Sequence, residues 1–203
     1  IATTWLPDFL GGLGKARPGL SFDLTVDSTD NLRNALVARE IDIAFLMGPV
    51  AEVSVTNQDL CGFEMICAAA PALGSRHRYW RLEDIANQRL LTFSLSTKPS
   101  RLMREMLLPH TRGRLDMTTS SSLGALIRLA LSGFGVCAMP KAVIASELAT
   151  GQLVELKTDF MLPPIHFTAS HVSGSPISGL MAEISTDLRG FLDGRLRQGI
   201  FEI

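Results

Sequence analysis

Leu6, Phe9, Leu10 and Leu13 recur at i, i+3, i+4 and i+7 and predict an amphipathic helix over residues 5–15, ended by Pro18-Gly19. Phe22, Leu24 and Val26 then alternate with polar residues, the pattern of a half-buried strand. A second helix follows, with Leu32, Ala35 and Leu36 on one face. Ile41 to Met47 is a nearly continuous apolar run, expected as a strand buried on both faces and stopped by Gly48-Pro49. Strand, helix and strand with short joins predict a βαβ unit with parallel strands.

The pattern resumes at Gly62 to Ala69, an apolar run closed by Pro71. A short helix is expected at Leu82 to Ala86 and a strand at Arg89 to Leu95. Pro99 suits the first turn of a helix carrying Leu102, Met103, Met106 and Leu107. Leu115 to Thr119 reads as a strand. The clearest helical stripe follows: Leu123, Leu126, Ile127, Ala130 and Leu131, closed by Gly133 as a left-handed cap. Phe134 to Met139 is a strand, Pro140 opens a helix that Gly151 ends, and Leu153 to Leu156 is a short strand. After Pro163-Pro164, Ile165 to Val172 is a longer strand. A final helix carries Leu180, Met181, Ile184, Leu188 and Phe191.

The expected class is α/β: two Rossmann-like lobes joined by two hinge strands, 62–69 and 165–172. Lobe I is assigned residues 1–68 plus 165–203, and lobe II residues 69–164. Ligands of open parallel sheets bind beyond the carboxyl ends of the strands.

Hydroxyl residues mark those ends. Thr3-Thr4, Ser28-Thr29, Ser94 to Thr97 and Thr118 to Ser122 each precede a helical pattern. A helix start has unpaired N–H groups and a partial positive charge, so a hydroxyl there either caps the helix or helps hold an anion. Both readings stand for each cluster. Asp30, next to Thr29, opposes an anion. Lys98 and Arg101, beside Ser96-Thr97, favour one, unless they are ordinary solvated charges. Trp5 reads as a stacking platform or, with more weight, as an aromatic anchor of the first helix.

Composition narrows the function classes. The chain has 203 residues, 46% hydrophobic and 19% charged, with a formal net charge of −1, an ordered chain able to bury a real core. No apolar run reaches the length of a membrane span, and no membrane partner is expected. Lys and Arg form no stripe suited to a phosphate backbone. Cys67 and Cys137 sit in apolar runs and read as buried thiols; with Cys61 they favour a reducing, cytoplasmic setting over a disulfide framework. His77, His110, His166 and His171 have no metal-binding spacing, and no cofactor or catalytic motif is present. Ile1 begins mid-pattern, and the strand expected before Thr3 is barely present. This reads as a piece of a longer protein.

The order Leu6-Pro7, Pro18 before a strand, and Leu36-x-x-x-x-Ile41-Asp42-Ile43-Ala44 resembles the effector-binding domain of LysR-type transcriptional regulators. So do Ser122-Leu123-x-x-Leu126-Ile127-Arg128-x-x-x-x-Gly133-x-Gly135-Val136-x-x-x-Pro140 and Gly151-x-Leu153-x-x-Leu156. The match spans essentially the whole chain. The resemblance implies a fold like the type II periplasmic binding proteins and a small effector, a carboxylate, in an interlobe cleft. It implies homo-oligomers (dimers or tetramers) and DNA contact only through an N-terminal helix-turn-helix domain that this chain lacks. Carried over by position, the ligand-binding candidates are Thr3, Thr4, Ser28, Thr29, Ser96, Thr97, Lys98, Pro99, Arg101, Ser120 and Ser121, with Phe134 as an apolar wall. The family's peroxide sensors carry paired cysteines in the second lobe, where Ser94 to Leu108 here holds none. The competing readings are an extracytoplasmic solute-binding protein of a transporter and, less supported, an enzyme.

Overall fold

A computed structural model describes residues 1–74, 79–111 and 113–197, with side chains as far as 194. The chain divides into two compact units: Ile1–Gly62 with the segment from His166 onward, and Phe63–Ile165. The sequence assignment put 63–68 in lobe I. They fall in the second unit, where the strand Met65–Ala69 pairs through Met65 to Ala68.

In the first unit, α1 (Leu6–Ala16) buries Leu6, Phe9 and Leu13, the stripe read from the sequence. Trp5 is fully buried just ahead of it, edge-on to Phe45 at 6.0 Å, so the anchor reading holds. Helix α2 (Thr29–Val37) is followed by strand β1 (Ile43–Leu46). β1 is buried on alternate residues rather than on both faces. The strand expected at Phe22, Leu24 and Val26 is absent, and residues 21–27 are exposed outside any strand. The expected parallel βαβ pairing is therefore not formed.

Strand β2 (Val55–Phe63) was not anticipated. Its first half is polar, because Thr56 and Asn57 are engaged in side-chain hydrogen bonds rather than packing. It lies beside β10 (Ile165–Val172), which pairs antiparallel with β1, giving the order β1-β10-β2. Helix α7 (Ser178–Arg197) closes this unit, with Phe191 against Phe9 at 5.5 Å. Arg17 at the end of α1 bridges Glu183 and Asp187 of α7.

The second unit contains β3 (Met65–Ala69), β4 (Tyr79–Trp80), α3 (Leu82–Ala86), β5 (Leu90–Phe93), α4 (Lys98–Leu107), β6 (Met117–Ser120), α5 (Leu123–Leu131), β7 (Val136–Pro140), α6 (Ala145–Ala149), β8 (Val154–Glu155) and β9 (Lys157–Thr158). Pro140 leads into a 3-10 turn, and α6 begins only at Ala145. The main sheet runs β6-β5-β7-β3-β8. β5, β6 and β7 are mutually parallel, and β3 runs antiparallel to β7. The stripe of α5 packs on it through Leu126 and Ala130, with Ile66, Ala68, Leu91, Cys137 and Met139. Gly133 and Gly151 take the left-handed conformation at φ 74° and 72° that their positions after helices require.

Candidate functional site

Two of the four hydroxyl clusters come together. β5 and β6 are parallel neighbours in a register that sets Phe93 opposite Ser120. The loop to α4, Ser94 to Thr97, and the loop to α5, Ser121-Ser122, therefore leave the same edge of the sheet side by side. Both helices begin there, so their partial positive charges add.

Each start is capped. Thr97 Oγ1 accepts from the Ser100 N–H at 3.4 Å and donates to the Ser94 carbonyl at 2.8 Å. Ser122 Oγ accepts from the Ala125 N–H at 3.3 Å, and Ser120 Oγ accepts from the Ser122 N–H at 3.0 Å. Thr97 and Ser122 are thus caps first, and Thr118 and Thr119 lie within β6 itself. The N–H groups of Lys98, Leu123 and Gly124 are the other first-turn donors. Neither first turn contains an acid. Lys98 and Pro99 open α4, with Lys98 exposed. Arg101 donates to the Ser96 carbonyl at 2.6 Å and braces the loop. Ser100, on the buried face of α4, keeps a hydroxyl with no hydrogen-bond partner among the described residues.

The other two clusters behave differently. Ser28 Oγ caps α2 by accepting from the Asn31 N–H at 3.3 Å. The carboxylate of Asp27 also sits there. It accepts from the Ser28 N–H at 2.6 Å and the Asn31 side-chain amide at 2.8 Å. These bonds hold its pKa below the usual carboxylate value, the Ser28 backbone contributing most. With Asp30 in the first turn as well, the protein supplies its own anions to this helix end. Sequence reading had noted Asp30 but missed Asp27; an acid one residue ahead of an N-cap is the signal. Thr4 closes a turn on Ile1, its N–H and Oγ1 both donating to the Ile1 carbonyl at 3.0 Å, and α1 has no side-chain cap. Thr3 is exposed beside it.

Phe134 stands apart from the other second-unit candidates. It precedes β7, at the amino ends of the parallel strands, with the Arg89 guanidinium over its ring at 4.3 Å. Arg89 in turn pairs with Asp116 at 3.0 Å. The Ser96 and Ser120 loops leave the carboxyl ends of the same strands. The physical reason is strand length: a parallel strand separates its two flanking loops by its full rise.

Burial disfavours the charged form of all three thiols. Burial pushes Cys67 and Cys137 up to about 12, and Cys61 up to about 11. Cys137 donates to the Ala68 carbonyl. Among the described residues, no three His, Cys, Asp or Glu gather as metal ligands, and no helix is long and apolar enough to cross a membrane. His77 lies outside the described residues.

The family model for the LysR substrate binding domain matches residues 1–189. The HTH-type transcriptional regulator PtxR of Pseudomonas aeruginosa is 31% identical over 141 residues, 66% of this chain and 44% of that protein. The HTH-type transcriptional regulator GltR of Bacillus subtilis is 24% identical over 160 residues, 75% of this chain and 50% of that protein. The chain thus spans about half the length of these curated relatives. The regulatory domain of CcmR from Synechocystis PCC6803, solved in complex with 2-PG, superposes with a TM-score of 0.76 at 16% identity, covering 93% of this chain and 91% of that one. The fold is therefore that of LysR regulatory domains, with its type II periplasmic-binding-protein-like architecture, and the chain belongs to the LysR substrate-binding domain family.

Proposed function

We propose that this effector-binding domain takes a small anion, a carboxylate, at the carboxyl ends of β5 and β6. The full-length protein would use that occupancy to control transcription through a separate DNA-binding domain. One observation carries the site: two capped helix starts lie side by side without an acid in either first turn, and one of them carries Lys98. The α2 start is already served by Asp27 and Asp30. Lys98 supplies charge, while Ser96, Thr97, Ser120 and Ser121 supply hydroxyls. Pro99 and Arg101 fix the loop. Ser28 and Thr29 act at a self-sufficient cap, and Thr3 and Thr4 in a turn. Recognition rather than catalysis is the role.

The same reading puts the protein in the cytoplasm as a homo-oligomer, a dimer or tetramer. The transport alternative is not favoured, since the relatives compared are regulators. Thermal shift against a panel of aliphatic and aromatic carboxylic acids tests the proposal. A ligand at 100 times its Kd should stabilise by about 2.7 kcal/mol. Lys98→Ala should abolish most of that gain and Phe134→Ala should retain it. An unchanged shift in both Lys98→Ala and Ser121→Ala would rule this site out.

A further inference from the structure

The amino ends of the second unit's parallel strands carry a cluster of arginines that effector binding does not use. Backbone bonds gather it. The Leu90 N–H donates to the Asp116 carbonyl at 2.8 Å, and the Val136 N–H donates to the Arg89 carbonyl at 2.9 Å. Arg89, Asp116 and Phe134-Gly135 therefore sit side by side, so closely that a Cβ on Gly135 would collide with the Arg89 carbonyl. Arg128, in the last turn of α5, joins them, because the Phe134 N–H donates to the Leu129 carbonyl at 3.1 Å. Arg114 lies two residues ahead of Asp116. Arg104, in the last turn of α4, comes to the same end. There the Asn87 side-chain amide donates to the His110 carbonyl at 3.4 Å, two residues ahead of Arg89.

All four arginines are exposed, and Arg104, Arg114 and Arg128 form no ion pair among the described residues. Arg89 shares Asp116 and lies over the Phe134 ring. The acids at hand are Asp116, already engaged, and Glu105, next to Arg104 in the chain. Cations are thus in excess here, in a chain whose formal net charge is −1. Arg104 and Arg128 also complement the partial negative charge at their helix ends. That role does not extend to Arg89 and Arg114, which lie outside helices. Lysine would serve a helix end equally well. A guanidinium adds a planar fork that grips a carboxylate through two parallel bonds. Phe134, 43% exposed, places an apolar ring among these forks. Arginine and aromatic side chains are both enriched at protein interfaces. A phosphate backbone fits less well, since it asks for a row of cations, and here the Asp116 carboxylate stands against Arg89.

We propose that this end of the second unit docks an acidic protein segment, with carboxylates on Arg89, Arg104, Arg114 and Arg128 and an apolar side chain on Phe134. The surface lies at the opposite strand ends from Lys98 and does not depend on the effector site.

Fluorescence anisotropy of the 203-residue chain tests it with a labelled helix-forming peptide of about 16 residues, Glu on one face and Leu on the other. Binding should weaken as salt rises. Arg114→Glu and Arg128→Glu should each raise Kd by roughly tenfold, because each sets like charges face to face. Phe134→Ala should raise it by roughly fivefold. Lys98→Ala should leave it unchanged. Substitutions at these exposed positions should preserve the Tm, and Arg114→Gln replaces a reversal that lowers it. Failure of the Glu peptide to bind, equal binding when Lys replaces its Glu, or a loss in Lys98→Ala instead would overturn the proposal. So would tighter binding of a labelled DNA duplex that the same arginine variants abolish, because nucleic acid would then be the occupant.

Discussion

Asn57 should be among the most costly polar residues to remove from this chain. Its side chain closes three hydrogen bonds at once. Oδ1 accepts from the Val50 N–H at 2.9 Å and from Ser170 Oγ at 2.7 Å, and Nδ2 donates to the Val50 carbonyl at 3.0 Å. Ser170 also bonds Thr168 across 3.1 Å, and Thr168 fills the space where a Cβ on Gly48 would stand. The amide thus ties the 48–50 turn to β2 and β10, and Val50 is only 4% exposed. At about 1 kcal/mol net per bond, Asn57→Ala should cost about 3 kcal/mol, a Tm fall of about 6–12 °C. Urea denaturation measures the first figure and calorimetry the second. Ser170→Ala should cost about 1 kcal/mol alone and less than that on top of Asn57→Ala, because the two share a bond. A loss below about 1 kcal/mol for Asn57→Ala, with an unchanged m-value, would refute the clamp.

Acid should weaken the first unit through His171. Burial holds its pKa below the ordinary 6.5, and its Nδ1 has no hydrogen-bond partner among the described residues. The unfolded chain therefore binds the extra proton first. Stability is fully present above pH 6.5 and is lost as pH falls from there toward the folded-state pKa. His171→Gln should flatten urea midpoints over that window, and an unchanged pH slope would contradict this. Cys67 and Cys137, pushed up to about 12 by burial, should resist a thiol reagent at pH 7 until the protein is unfolded. Rapid labelling of the native protein would sink that expectation. Ser28→Ala should cost about 1 kcal/mol of stability through the lost cap and leave the effector-induced thermal shift unchanged. A lost shift would move the site toward α2.

Local regularity made much of the architecture legible. The i, i+3, i+4 stripes of α1 and α5, the φ-positive glycines at 133 and 151, and the run of β10 all depend on neighbours within a few residues. The burial of Cys67 and Cys137 likewise followed from their apolar runs. Strand β2 was not legible, because a segment whose side chains serve hydrogen bonds to distant residues carries no apolar period. Residues 22–26 show the reverse case. Their alternation is a strand pattern, but a strand exists only when a neighbour takes its backbone groups.

The sequence by itself determined where helix starts with hydroxyls occur and that a family pattern runs along the chain. It weighted the four clusters only by their sequence neighbours, Asp30 against an anion and Lys98 with Arg101 for one. The tertiary structure added which helix starts lie together, because that distinction is one of pairing in space. The Phe93 to Ser120 register joins the starts of α4 and α5. Asp27 occupies the start of α2. The length of β7 puts Phe134 at the other end of the sheet, under Arg89. Capping is a local property that sequence can announce. Which helix ends share an unneutralised charge depends on which strands are neighbours, and that is set by packing over long separations.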